Sequence, residues 1–228
     1  MEKLYPLQNG VLNLVKKLKT PFFLTGGTAH SRFYFNHRFS DDLDFFVINE
    51  SKYNKYVQVI LGELYNNSLF TVDLKNVNIG ESFTRVLLTS SKDEEVILQL
   101  DFINDIAIHF GSIDLHSEFG KIDNWRNILS NKITALFRSE PKDVVDIWII
   151  SQNKIFNWEE IIIESKSKES GVTPEIIFEI LKSFPTHYKN QIKWIPGLDL
   201  DSFDLDIQII AEDILFGRDN SLFETNNS

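Results

Sequence analysis

Thr25-Gly26-Gly27-Thr28 and, after a spacer of thirteen residues, Asp42-Leu43-Asp44 decide how this chain folds. Phe22-Phe23-Leu24, just ahead of the glycines, is short and apolar, a buried strand running into a tight turn. Ala29 to Phe35 reads as a helix whose N-terminus lies at Gly27-Thr28. Leu43 to Ile48 is almost wholly apolar after the acids, which predicts a central strand. Residues two apart on a strand point to the same side, so Asp42 and Asp44 share a face. Two carboxylates crowded on an apolar strand repel each other and lose hydration, so a cation belongs between them. Mg²⁺ suits the place: it takes carboxylate oxygens and completes its shell with substrate phosphates. The pattern implies phosphoryl or nucleotidyl chemistry.

Outward from this stretch, residues 8–19 carry apolar side chains at helical spacing, with a basic outer face and Pro21 as the stop. Ser51 to Tyr65 reads as an amphipathic helix. Residues 70–74, 83–88 and 96–103 read as strands, with a hairpin turn at the acidic tip 91–95. From about Asn124 the pattern turns helical: 125–137, 142–151, 158–166, 176–184 and 206–216. The expected N-caps are Ser139 ahead of Pro141, Asn157, and Thr173 ahead of Pro174. Residues 165–171 read as a polar loop, and the tail from Asp219 as frayed. The fold class is therefore α/β (α+β): a mixed-sheet core over 1–122, then a helical domain over 123–228.

The bulk properties narrow the chemistry. There are no cysteines in the 228 residues, which excludes disulfides, Cys-based zinc sites and thiol nucleophiles. The opening residues carry no apolar leader and no apolar run reaches bilayer length, so the expectation is a soluble, cytoplasmic protein with no membrane partner. Net charge is −10, of which −3 falls on 1–122 and −7 on 123–228, so neither half is basic overall. A polyanionic substrate would need a local basic patch or metal ions against this field. Loops of the P-loop, dinucleotide-binding and serine-hydrolase kinds are missing from the sequence.

Asp101 is the third acid of interest. It lies in an apolar strand, on the same side as Gln99 and Ile103. Beside the Asp42/Asp44 strand, it would bring three carboxylates together as a two-metal site for nucleotidyl transfer, and it could accept the proton of an attacking hydroxyl. Gly26 and Gly27 let the backbone approach a phosphate, the helix start offers N–H groups, and Thr28 adds a hydroxyl. Lys132 sits mid-helix between apolar flanks, so its ammonium needs an anion or a path to water. Asp143 and Asp146 fall three apart on one face of the next helix. His37 and Arg38, a few residues before the acids, read either as contacts to phosphate or acceptor or as an ion pair.

These residues together resemble a family. The string from Leu24 to Ala29, then His37-Arg38-Phe39-Ser40-Asp41-Asp42-Leu43-Asp44-Phe45-Phe46, is similar to the AbiEii/AbiGii toxins of the DNA polymerase β-like nucleotidyltransferase superfamily. A second signature, Lys132, Ala135-Leu136, Arg138 and 142–147, follows in the family's order, with Lys142 where an arginine is usual. The resemblance covers roughly residues 20–150. It implies transfer of a nucleoside monophosphate from an NTP to an acceptor hydroxyl, in some members at the tRNA 3′ end, with Mg²⁺ (or Mn²⁺) as cofactor. It also implies a toxin–antitoxin or phage-defence setting with a cognate antitoxin. Carried over residue by residue, Asp42, Asp44 and Asp101 are metal ligands, and Lys132 and Asp146 further catalytic groups. Gly26, Gly27, Thr28, Arg38 and Asp143 join Lys132 in binding substrate. The helical domain would then complete the active-site cleft. Two rivals stand beside this reading: a catalytically inactive binding module on the same fold, and a small-molecule nucleotidyltransferase of the antibiotic-modifying kind.

Overall fold

A computed structural model describes residues 3–73 and 77–223. Leu74, the end of one expected strand, and residues 224–228 of the expected frayed tail lie outside the described residues.

The chain divides into two units. The first comprises Met1–Tyr34, Phe39–Ala107 and Ser112–Asn124; the second comprises Phe35–Arg38, Ile108–Gly111 and Trp125–Ser228. Two short segments of the N-terminal stretch thus belong with the helices.

The first unit is a mixed eight-stranded sheet with helices α1 (Leu4–Lys17) and α3 (Tyr53–Tyr65). Its strands are β1 (Phe23–Thr25), β2 (Asp42–Ile48), β3 (Phe70–Val72), β4 (Asn78–Ile79), β5 (Phe83–Ser90), β6 (Asp93–Asp105), β7 (Asp114–His116) and β8 (Gly120–Ile122). The order is β3-β5-β6-β2-β1-β8-β7, with β4 on β5. β2 is central, parallel to β6 and antiparallel to β1. It alternates: Leu43, Phe45 and Val47 are buried, while Asp42, Asp44 and Phe46 are half-buried on the other face. The buried face continues through Val86, Leu98, Leu100 and Phe102. Tyr53 of α3 closes over it, donating to Phe102 O and sharing a hydrogen bond with Thr84 Oγ1. Burying one face this completely fixes the register, since a one-residue slip would turn every acid inward.

Helix α1 begins four residues earlier than its pattern implied, with Pro6 in the first turn where proline is tolerated. The expected helix after the glycines is a short turn α2 (Gly26–Thr28) continuing into a wider, π-type turn over Ala29–Phe35. The hairpin β7–β8 was not expected, because its three-residue strands carry no alternation.

The second unit packs α4 (Trp125–Ala135), α5 (Pro141–Asn153), α6 (Trp158–Lys168), α7 (Pro174–Lys182) and α8 (Phe203–Leu215). Asn157 and Thr173 cap α6 and α7 as expected, accepting from Glu160 N and Ile176 N. Ser139 does not cap α5: its backbone is left-handed (φ 57°) and ends the turn Leu136–Arg138, so Glu140 takes the cap position. The expected loop at 165–171 begins late, because α6 runs on to Lys168 with Ser165 buried and bonded back to Ile161 O. Up to residue 223 the tail is pinned rather than frayed: Asn220 donates to Ser151 O and Lys154 O, and Leu222 is buried. Trp148 forms the centre of this unit, edge-on to Phe203 and Trp194 and donating to Asp206. Among the described residues no helix is long and apolar enough to cross a membrane.

Candidate active site

Sheet register brings the three acids together. Asp44 of β2 lies opposite Asp101 of β6 on one side and Thr25 of β1 on the other, and Asp42 lies opposite Gln99. Residues opposite one another in a sheet share a face. Asp101 lies opposite Arg85 of β5 in turn. A row therefore crosses four strands: Thr25, Asp44, Asp101, Arg85, with Asp42 and Gln99 one step along.

Arg85 was not anticipated. Its Nε and Nη2 donate to the two oxygens of Asp101 at 2.7 and 2.6 Å, and Gln99 adds a bond of 3.2 Å. The Asp101 side chain is 9% exposed, the guanidinium 44%. The hydrogen bond to Asp101 is the main cause that raises Arg85 above its ordinary pKa, and the charges of Asp101, Asp44 and Asp42 add to it. The only hint in the sequence was an arginine interrupting an apolar strand, Phe83 to Leu88.

The glycine turn shapes the other end of the row. Gly26 has φ +66°, and a Cβ there would approach Asp44 Oδ2 closer than 3.0 Å. Glycine is required twice, for the backbone angle and for the carboxylate against it. Gly27 follows in the same turn, whose start is not capped by the Thr25 side chain. The Thr25 hydroxyl instead donates to Asp123 Oδ2 at 2.6 Å. Thr28, expected to offer its hydroxyl to a phosphate, donates it to Asp42 O at 2.5 Å and so ties the turn to β2. Ser40 Oγ contacts Asp42 Oδ1 at 3.2 Å.

The row has the donor chemistry that divalent cations take. Arg85 offsets one of three formal negative charges, leaving two, the charge of Mg²⁺ or Mn²⁺. The donors are all carboxylate oxygens, the ligands these ions prefer. A carboxylate has about four lone-pair positions, so Asp101 can hold Arg85 and still face a cation.

In the helical unit, the second signature closes on itself. Lys132 Nζ reaches Asp143 Oδ1 at 2.7 Å and Asp146 Oδ2 at 2.8 Å. Arg38 grips both oxygens of Asp146 at 2.7 Å, and His37 Nε2 lies 2.9 Å from Oδ1. Arg138 meets Asp143 at 3.0 Å from a position 63% exposed. Both acids are fully buried. Burial strongly opposes the Lys132 charge, but Asp146 and Asp143 outweigh it and raise the pKa. Burial likewise lowers His37, only partly offset by its bond to Asp146. Lys132 thus finds the anion its apolar flanks demanded. Lys132, Arg38 and Asp143, expected to bind substrate, are each paired within the protein, and His37 and Arg38 both lie against Asp146, as in their ion-pair reading.

The fold is nucleotidyltransferase-like, and solved structures share it. A candidate nucleotidyltransferase of Helicobacter pylori superposes with a TM-score of 0.62 at 18% identity, covering 99% of this chain and 98% of the other. JHP933 of H. pylori gives 0.58 at 20%, covering 99% and 93%. MenT4, a nucleotidyltransferase toxin of Mycobacterium tuberculosis, gives 0.55 at 11%, covering 92% and 82%. Residues 14–212 match the family described as "Nucleotidyl transferase AbiEii toxin, Type IV TA system", and the chain belongs to it. No curated protein sequence matches this one.

Proposed function

We propose that this protein transfers a nucleoside monophosphate from an NTP to an acceptor hydroxyl. The acceptor oxygen bonds to the α-phosphorus, the bond to pyrophosphate breaks, and the acceptor's proton passes to a carboxylate of the row, for which Asp101 is the candidate. Asp42, Asp44 and Asp101 would hold Mg²⁺ (or Mn²⁺), which when bound supplies positive charge to the phosphates. The turn at Gly26-Gly27, which the Thr25 side chain does not cap, would let the backbone approach a phosphate. Thr28 positions Asp42, and Arg85 positions Asp101. Asp143, Asp146 and Arg38 hold Lys132 and His37 in place. The 3′ end of a tRNA is the acceptor in this reading, and a cognate antitoxin the partner, in keeping with the family.

The observation that carries the reading is the row itself: costly acids at neighbouring register positions, one pressed against a glycine that tolerates no side chain. Labelled NTPs incubated with total tRNA test it. Wild type should label RNA in a metal-dependent way. Asp42→Ala should abolish labelling and keep the fold, with stability unchanged or raised as carboxylate repulsion is relieved. Failure of wild type both to label RNA and to bind any NTP would end the proposal.

A further inference from the structure

A cluster of cations without acidic partners lies on the first unit of this acidic chain. The last turn of α1 carries Lys16 and Lys17, and Lys19 follows it, all exposed. Lys16 donates to Ser117 O in the β7–β8 hairpin, and its side chain packs on Gly120. Lys121 of β8 donates to Thr20 O just beyond α1. Arg32, in the turn after the glycines, lies between the rings of Tyr5 (4.4 Å) and Phe119 (5.2 Å). Its hydrogen bonds go to neutral acceptors, Gln8 Oε1 and Asn9 Oδ1. No ion pair joins any of these five cations to a carboxylate among the described residues. Glu118 at the hairpin tip attracts Arg32 from a distance, less strongly than burial pulls its pKa down. Aromatic rings run through the same surface: His116 stacks on Phe119 (4.9 Å) and meets Phe33 edge-on (4.8 Å), all three half-exposed.

Five cations gathered within a net charge of −10, none joined to a carboxylate by an ion pair among the described residues, keep their charge available to a polyanion. Rings among them offer stacking faces to unpaired bases. We propose that the α1 end, Arg32 and the β7–β8 hairpin form a docking surface for single-stranded nucleic acid, with Lys17 and Lys19 on phosphates and Phe119 or His116 under a base. This rests on the transfer reading, for which it names the surface that holds the acceptor. Arg32 is the built-in part, held by rings and amides; the lysines are the adjustable part.

The test is fluorescence anisotropy of a labelled single-stranded RNA and the matching DNA, titrated with the full chain across a salt series. Lys17→Ala/Lys19→Ala leaves every hydrogen bond above intact. It should weaken binding about 25-fold at 0.1 M salt and flatten the salt slope by about 1.4, at about 0.7 per phosphate contact on a single strand. Phe119→Ala should weaken binding at least about fivefold with the slope unchanged, because stacking is worth about 1–3 kcal/mol per base. RNA bound more tightly than DNA, or both equally, supports the surface. Unchanged affinity and slope in Lys17→Ala/Lys19→Ala overturns it. So does a wild type that binds neither nucleic acid while releasing pyrophosphate from NTP, and that outcome leaves the transfer reading standing. Mn²⁺ binding, measured in parallel, should be the same in all variants; its loss in wild type would strike the transfer reading and not this surface.

Discussion

Arg85→Ala sets the structural and the chemical readings of the acid row against each other. The substitution removes two short hydrogen bonds from a carboxylate that is 9% exposed, beside Asp44 and Asp42. Breaking a fully buried pair costs about 3–5 kcal/mol, and an exposed one under about 1. The guanidinium is 44% exposed, so a loss of about 1–2 kcal/mol is expected without metal. For a chain of this size that is roughly 2–8 °C in Tm. The formal charge of the row moves from −2 to −3, and a divalent cation no longer meets the guanidinium. At an effective dielectric of about 20, and discounted for exposure, this is worth about 1.4 kcal/mol, or tenfold tighter binding. Saturating Mn²⁺ should then return about the same amount to the variant's stability and close most of the gap to wild type. The assays are thermal unfolding in chelator and in Mn²⁺, with calorimetric titration of Mn²⁺. If Arg85→Ala is as stable as wild type in chelator, or binds Mn²⁺ no more tightly, Arg85 is not the counter-charge of a cation site.

Gly26→Ala should cost about 1–2 kcal/mol for the left-handed backbone and also displace the Asp44 carboxylate; loss of Mn²⁺ binding beyond what the stability loss explains is the signature, read by calorimetry. Asp146→Ala should destabilise by about 3–5 kcal/mol, since it strands buried Arg38 and Lys132, and Asp143→Ala by less, because Lys132 keeps Asp146 and Arg138 can turn to water; urea unfolding ranks the two. The His37 pKa is lowered in the fold by burial, so the unfolded chain binds the proton first as pH falls. Stability should therefore drop below about pH 6.5, by at most about 1.4 kcal/mol per unit from this residue, and His37→Gln should flatten the slope between pH 6.5 and 5.5.

Local chemistry was the legible part of this chain. The glycine turn, the central strand and the caps Asn157 and Thr173 are set by neighbours within a few residues, and the structure has them as read. What escaped depends on partners distant in sequence. Arg85 meets Asp101 through the antiparallel register of β5 and β6, which no spacing announces. The β7–β8 hairpin has strands of three residues, too short for alternation, and is held by pairing with β1. Ser139 had the chemistry of a cap, but its left-handed backbone ends one turn before the next begins. The Lys132 and Asp146 pair was visible as a need for an anion and as acids on one face; that the two needs answer each other was not.

Charge accounting separates the two groups by what each lacks. The acid row holds three carboxylates against one guanidinium, a deficit that the fold leaves on the half-buried face of the sheet. The helical network holds Lys132, Arg38 and Arg138 against Asp143 and Asp146, with the single surplus positive charge at the exposed Arg138. A deficit of two charges invites a divalent ion, while a buried network that is already neutral has nothing further to attract. Substitutions should divide accordingly. In the row, Asp42→Ala should remove metal binding at little cost in stability, because it relieves carboxylate repulsion. In the network they should be felt first in urea and only through unfolding in metal binding. A variant of Asp146 that kept full stability but lost NTP turnover would place that acid in the chemistry itself and overturn the division.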